Sequence, residues 1–262
     1  MLDDLYLMAT IGRHRVLDSR DAPPHAVRAA LLPGLHRWGG KWLRGVTVSG
    51  SYAKGTAIRG LSLAPSDVDV DLFLSLAAEM PESLADMQLK LCAEFGDYQP
   101  RIANVSVRLL YENRRVDLVP GRRRENSEDH SLWRRREAAW VRTNVAEQVR
   151  WVRESRRQDE ILALRIWRRG QALYFPSFCL ELAVIEALQE ARGHGLGFGA
   201  QGLAARVLRV LQYLAEEFPG AVLRDPANRS NVVSGLMSTL DKQRVASAAW
   251  VSLRADSWPD IL

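Results

Sequence analysis

Residues 46–76 read VTVSGSYAKGTAIRGLSLAPSDVDVDLFLSL, and the remainder of the chain is best understood around this stretch. It opens on an apolar run, residues 46–48, with the composition of a buried strand. It breaks at Gly50-Ser51 and returns to an apolar strand over residues 72–76, directly behind Asp67, Asp69 and Asp71. Side chains alternate along a strand, so aspartates spaced two apart share one face of a sheet. Like charges on one face repel unless something cationic sits among them. A hard divalent cation, most simply Mg2+, is the partner that oxygen donors select. The Gly-Ser turn ahead of them offers backbone amides and a hydroxyl to a phosphate, with Lys54 near enough to add positive charge.

Outward from this stretch, a further carboxylate stands in a second apolar strand, Arg115-Val116-Asp117-Leu118-Val119. Val116 and Leu118 face one way and Asp117 the other, together with Val119. A carboxylate in such surroundings is costly unless it is paired, and the same cation would pair it. Glu112-Asn113 between two alternating segments, residues 101–111 and 114–119, reads as a hairpin turn. Pro120-Gly121 is expected to end the second strand.

A Gly-Ser turn, a spacer and an Asp-x-Asp entering an apolar strand, with a third aspartate at Asp117, resembles the polymerase-β superfamily of nucleotidyltransferases. The phrase Gly50-Ser-Tyr-Ala-Lys-Gly-Thr-Ala-Ile58 is similar to the branch that contains oligoadenylate synthetases and the bacterial cGAS/DncV-like nucleotidyltransferases, the CD-NTases. The resemblance implies an α+β fold in two parts. Residues 1–125 would be a polymerase-β-like core with a mixed sheet and an N-terminal helix, and residues 126–262 a helical C-terminal lobe closing the nucleotide cleft. It implies catalysis by Asp69, Asp71 and Asp117 as ligands of a pair of Mg2+ ions, with Mn2+ as a substitute. The spacer is longer than the pattern usually has, so Asp67 and Asp69 could be the metal pair in place of Asp69 and Asp71. The strand that follows Asp71 directly favours the latter.

The same resemblance assigns substrate contacts. Gly50, Ser51, Lys54 and Arg165 would hold the triphosphate, Ser177 would touch phosphate or ribose, and Phe178 would stack on the base, an interaction worth about 1–3 kcal/mol. Arg165 stands where the branch carries lysine, and a pairing with Glu160 or Glu181 competes with the phosphate role. The implied activity is synthesis of a linear or cyclic oligonucleotide messenger from nucleoside triphosphates such as ATP, in bacterial antiviral defence, with a separate effector protein as receiver of the product. Nucleotide addition to a tRNA or other macromolecular acceptor is the alternative. A non-catalytic module that binds nucleotide or nucleic acid is a third reading.

Composition sets limits on these readings. The chain has 262 residues, with 47% hydrophobic and 26% charged, which is ordinary for a soluble globular protein able to bury a sizeable core. No window approaches the roughly 18 apolar residues of a membrane span. The first residues carry two acids and no small-residue cleavage pattern, so a cytoplasmic location is expected. The cysteines Cys92 and Cys179 read as core residues of a reduced protein. A net charge of +5 comes from arginine runs at 122–124, 134–136, 156–157 and 168–169. These suit nucleic acid or triphosphates, but equally a solvated helix face, so charge alone selects no function.

The remaining segments read as helices and connections. Val27, Ala30, Leu31, Leu35 and Trp38 have helical spacing over residues 22–42, and Leu84, Met87, Leu91 and Cys92 have it over 82–94. Residues 122–130 are polar and are expected to be a loop between lobes, with helices from there to the end. Two of these cover 138–167, one starts near Phe175 and one spans 207–218. Five glycines between 193 and 202 suit a connection or a lid. Asp225-Pro226 and residues 228–231 are expected to cap and position the last helix.

Overall fold

The computed structural model describes residues 2–17, 22–59, 69–189 and 202–262. These form two compact units: Val16–Val149, built on a sheet, and a helical unit of Met1–Arg15 with Arg150–Leu262.

The sheet unit begins with α2, Pro23–Gly39, where α1 is the helix Leu2–His14 of the other unit. Two prolines open α2 at positions where no intrahelical N–H is needed, and Val27, Leu31, Leu35 and Trp38 form its buried stripe. Ala30 lies on the exposed side. The chain continues through β1, Leu43–Val48, the short helix α3, Gly50–Ala53, and β2, Val70–Leu76. Helix α4, Leu84–Glu94, follows. The side chain of Ser83 caps it by accepting from the Asp86 amide. Then come β3, Arg101–Ile102, β4, Val107–Tyr111, β5, Arg114–Arg123, β6, His130–Arg134, and β7, Ala139–Thr143.

These strands make one mixed sheet in the order β1-β2-β5-β4-β3, with β6 pairing the far end of β5 and β7 pairing β6. Only β2 and β5 run parallel among the described pairs. The face bearing Val70, Leu72, Leu74 and Leu76 of β2 and Val116 and Leu118 of β5 is buried with the stripes of α2 and α4. The indole of Trp38 donates to the Met87 carbonyl at 3.0 Å and joins the two helices. The opposite face carries Asp71, Phe73 and Ser75 of β2 and Asp117 of β5.

Several expectations are corrected here. The segment 101–111 is not one strand, because a tight turn interrupts it, closed by the Ala103 amide on the Ser106 carbonyl at 2.8 Å. Pro120-Gly121 does not end β5. Pro120 falls where β5 has left β4, last paired at Leu118, and has not yet met β6, first paired at Arg122, so its missing N–H costs no ladder bond on that side. At Gly121 any Cβ would stand 2.6 Å from the Phe73 ring, so glycine lets the aromatic cross the strand. Residues 130–143 form a β-hairpin where a loop and then helix were expected. Asn104 secures it from another part of the sheet unit, accepting from the Arg135 and Arg136 amides at 2.9 Å and donating to Glu137.

The boundary between units consequently falls inside α5, Val145–Glu154, and not at residue 125. The first fifteen residues also belong with the helices. The Asp4 carboxylate of α1 accepts from the Ala204 amide at 2.7 Å, capping α8, Leu203–Glu216, and Arg15 pairs with Asp159 of α6, Gln158–Gly170.

The helical unit also contains α7, Ser177–Gln189, α9, Thr239–Ser252, and α10, Trp258–Ile261. Helices α6, α7 and α8 each bury an apolar face, and in α6 every residue from Ile161 to Trp167 is buried. Residues 224–232 are not a simple turn but the small hairpin β8, Arg224–Asp225, with β9, Asn228–Val232. Asp225 serves that hairpin, accepting from the Ala227 amide and from Asn231. The last long helix is capped by Ser238 and Asp241 in a reciprocal capping box. Cys92 and Cys179 are both free thiols, and burial pushes that of Cys179 up to about 12. The glycine-rich stretch up to residue 201 lies outside the described residues. Among the described residues no helix is long and apolar enough to cross a membrane.

Candidate active site

Asp71 and Asp117 are register partners on the parallel strands β2 and β5. Neighbouring strands lie about 4.8 Å apart, and both residues project from the face opposite the apolar core. Asp69, immediately before β2, shares that face two residues away. Parallel pairing thus sets Asp71 beside Asp117, with Asp69 two residues before Asp71. Asp67, the register alternative, lies outside the described residues.

The Gly50-Ser51 turn is built against this pair. Gly50 has φ +62°, and a Cβ there would overlap the carboxylate of Asp71, with Asp71 Cγ at 2.6 Å. Glycine therefore meets two demands: the left-handed backbone and contact with a carboxylate. The Ser49 amide donates to the Asp71 carbonyl at 2.8 Å and its hydroxyl to the same oxygen at 3.2 Å, which fixes the end of β1 to the aspartate. The turn is closed behind by the Thr56 amide and hydroxyl, which donate to the Ser51 carbonyl at 2.9 and 3.3 Å. Lys54 ends α3 and is only 6% exposed, so the aliphatic stem of this lysine is packed into the sheet unit.

Arginines that the sequence reading had passed over share the acidic face. Arg108 of β4 is the register partner of Asp117, and its Nε and Nη2 donate to the two carboxylate oxygens at 3.1 and 3.3 Å. The Ser106 hydroxyl donates to Asp117 Oδ1 at 3.1 Å. Arg115 of β5 pairs with Asp69 through Nη2 and lies 3.5 Å from Asp117 Oδ2 through Nε. A signal for these residues was present. Glu112 and Asn113 both take positive φ, as a two-residue hairpin turn requires, and that turn sets Tyr111 opposite Arg114 and hence Arg108 opposite Asp117.

Farther along the same face, the ring of His130 stands edge-on to Phe73 at 4.8 Å and is 2.8 Å from the Ser75 hydroxyl. Burial, as the leading cause, holds its pKa below the ordinary 6.5. Burial pushes the adjacent Asp129 up, but hydrogen bonds from Asn144 and the Arg142 guanidinium outweigh it and leave the carboxyl below its ordinary range.

The donor chemistry of Asp69, Asp71 and Asp117 fits a hard divalent cation. Among the described residues, however, no three His, Cys, Asp or Glu side chains are gathered as a metal cage. The carboxylates of Asp69 and Asp117 are turned onto guanidinium groups.

In the helical unit, Arg165 lies 3.5 Å from Glu181, which is one of the two glutamates the sequence offered. The other, Glu160, is held by Arg157 at 3.3 Å and Arg206 at 2.5 Å. Ser177 opens α7 and accepts from Arg168 at 3.2 Å, while the same guanidinium nitrogen donates to the Phe175 carbonyl at 2.7 Å. Phe178 is half-buried.

No protein-family model matches the sequence, and no curated protein matches it. Solved structures do match the fold. The chain is similar to E. coli MS115-1 CdnC with ATP at 17% identity and TM-score 0.70, over 96% of this chain and 93% of that one. It is similar to the Bradyrhizobium diazoefficiens CD-NTase CdnG in complex with GTP at 15% identity and TM-score 0.66, over 99% and 95%. It is also similar to the Cid1 poly(U) polymerase with MgGTP at 12% identity and TM-score 0.65, over 98% and 95%. The α+β fold with a mixed sheet is therefore that of CD-NTases and of poly(U) polymerase.

Proposed function

We propose that this chain is a divalent-cation-dependent nucleotidyltransferase that joins nucleoside triphosphates into a small linear or cyclic oligonucleotide messenger. The observation that carries the reading is the register of Asp71 with Asp117 on parallel strands, with Gly50 seated against Asp71. The fold shared with CD-NTases along nearly the whole chain supports it.

In the reaction a ribose hydroxyl oxygen bonds to the α-phosphorus of a nucleoside triphosphate, the bond to the bridging α–β oxygen breaks, and pyrophosphate leaves. Asp69, Asp71 and Asp117 would hold Mg2+ or Mn2+. The bound cations would lower the pKa of the attacking hydroxyl and neutralise the departing charge. Asp117 is assigned to the acceptor side and Gly50-Ser51 and Lys54 to the triphosphate. On the helical unit the reading assigns Arg165 to phosphate, Ser177 to phosphate or ribose, and Phe178 to the base. A role in antiviral defence and a separate effector that receives the product belong to the same proposal.

The likeness to Cid1 supports a second reading, addition of nucleotides to an RNA end. One assay separates the two. Purified protein is incubated with labelled triphosphates and Mg2+, with and without RNA. Small labelled products that form without RNA and vanish in Asp71→Asn support the proposal. Label found only on RNA selects the second reading, and no transfer under any condition overturns both in favour of a binding module.

A further inference from the structure

The arginine between two of the carboxylates is the feature that the transfer reading leaves unused. Arg115 precedes Asp117 by two residues on β5 and reaches two carboxylates: Nη2 to Asp69 and Nε to Asp117 Oδ2 at 3.5 Å. Arg108, in contrast, is spent on Asp117 alone. Arg115 thus spans two of the positions from which the proposed cation would be bound. The Arg115–Asp69 pair adds little to folding. Its side chains are 47% and 44% exposed, and ion pairs of that kind are worth about 0–1 kcal/mol. The charge it places beside the carboxylates is a different matter, because a divalent cation approaching Asp69 and Asp117 must meet or displace it.

From this geometry we infer that Arg115 is a built-in counter-ion that sets the cation affinity of the site. With Arg115 on Asp69 and near Asp117, part of the carboxylate charge is balanced without metal. A cation enters by exchanging with the guanidinium, and the planar fork so released is chemically suited to a phosphate oxygen pair. Arg115 is a positioning residue in this account, acting through the carboxylates it holds. The inference rests on the proposed assignment of Asp69, Asp71 and Asp117 as cation ligands.

The test is equilibrium binding of Mn2+ alone, without nucleotide, measured by loss of its free-ion paramagnetic resonance signal. Arg115→Gln is expected to bind Mn2+ about tenfold tighter than the wild type, since one positive charge leaves the site in a partly screened environment. Arg115→Lys, which keeps the charge, should stay close to the wild type, and Asp71→Asn added to Arg115→Gln should abolish the gain. Equal or weaker binding by Arg115→Gln overturns the inference, as does a gain that survives Asp71→Asn. Should Arg115→Gln misfold, Arg115→Met serves in its place with the same outcomes. The two readings fail separately. An Asp71-dependent gain in a chain that transfers no nucleotide leaves the counter-ion standing and removes the transferase. Normal transfer with unchanged Mn2+ affinity in Arg115→Gln does the reverse.

Discussion

The sheet unit and the helical unit both bring carboxylates together with arginines, and they resolve the charge differently. In the helical unit Glu160 and Glu181 are 2% and 1% exposed, and each is matched by arginine: Arg157 and Arg206 on the first, Arg165 on the second. Burial at that depth demands pairing, and breaking it is expensive. On the sheet, Arg108 lies on Asp117 and Arg115 on Asp69, and solvent reaches Asp69 and both guanidinium groups. Ion pairs open to water, as at Asp69, can be exchanged at little cost, which is what the proposed cation site requires. A cluster that is closed and matched is built to stay folded.

The comparison breaks first at Gly50. Gly50→Ala puts a methyl group into the Asp71 carboxylate at a backbone of φ +62°, and transfer should fall about a hundredfold through displacement of that group, with the fold retained by circular dichroism. Full activity would mean that Asp71 is not held by the turn. On the helical side, Glu160→Ala strips the partner from Arg157 and Arg206 and should cost about 3 kcal/mol in chemical denaturation, while Asp69→Asn, on the exposed side, should cost less than about 1 kcal/mol. Equal costs would erase the distinction between a structural and a functional charge cluster.

A smaller effect comes from His130. Its folded pKa lies below the unfolded value of 6.5, so near and below that pH the unfolded chain binds a proton that the folded chain refuses, and stability falls as pH drops through 6.5 toward the folded pKa. His130→Gln should lose less stability than the wild type over that interval, measured by thermal melts at each pH. A steeper loss in the variant would contradict the buried neutral imidazole. The smallest change is expected from Asp67→Asn, which should leave appreciable transfer where Asp69→Asn and Asp71→Asn do not. Equal loss in all three would move the metal pair toward Asp67.

Much of this was readable in the chain. Two-residue alternation put Asp69 and Asp71 on one side, the Glu112-Asn113 turn set the β4–β5 register, and three-to-four-residue spacing located α2 and α4. The hairpin of β6 and β7 was hidden because its turn is a run of arginines held by Asn104, a contact made across some 30 residues. The passage of β5 through Pro120-Gly121 depends on which neighbours flank that point, and no local rule reports them. Arg108 and Arg115 could have been placed from the hairpin register. They were overlooked because they sit among so many other arginines. The partner of Arg165 was open between two glutamates until the packing of α6 on α7 chose Glu181.

The most direct test is Asp117→Asn, followed by nucleotide binding and transfer on the same preparation. If Asp71 and Asp117 form one cation-holding pair, the variant binds a nucleoside triphosphate as the wild type does and loses transfer by on the order of a thousandfold. Undiminished turnover in Asp117→Asn would contradict the account.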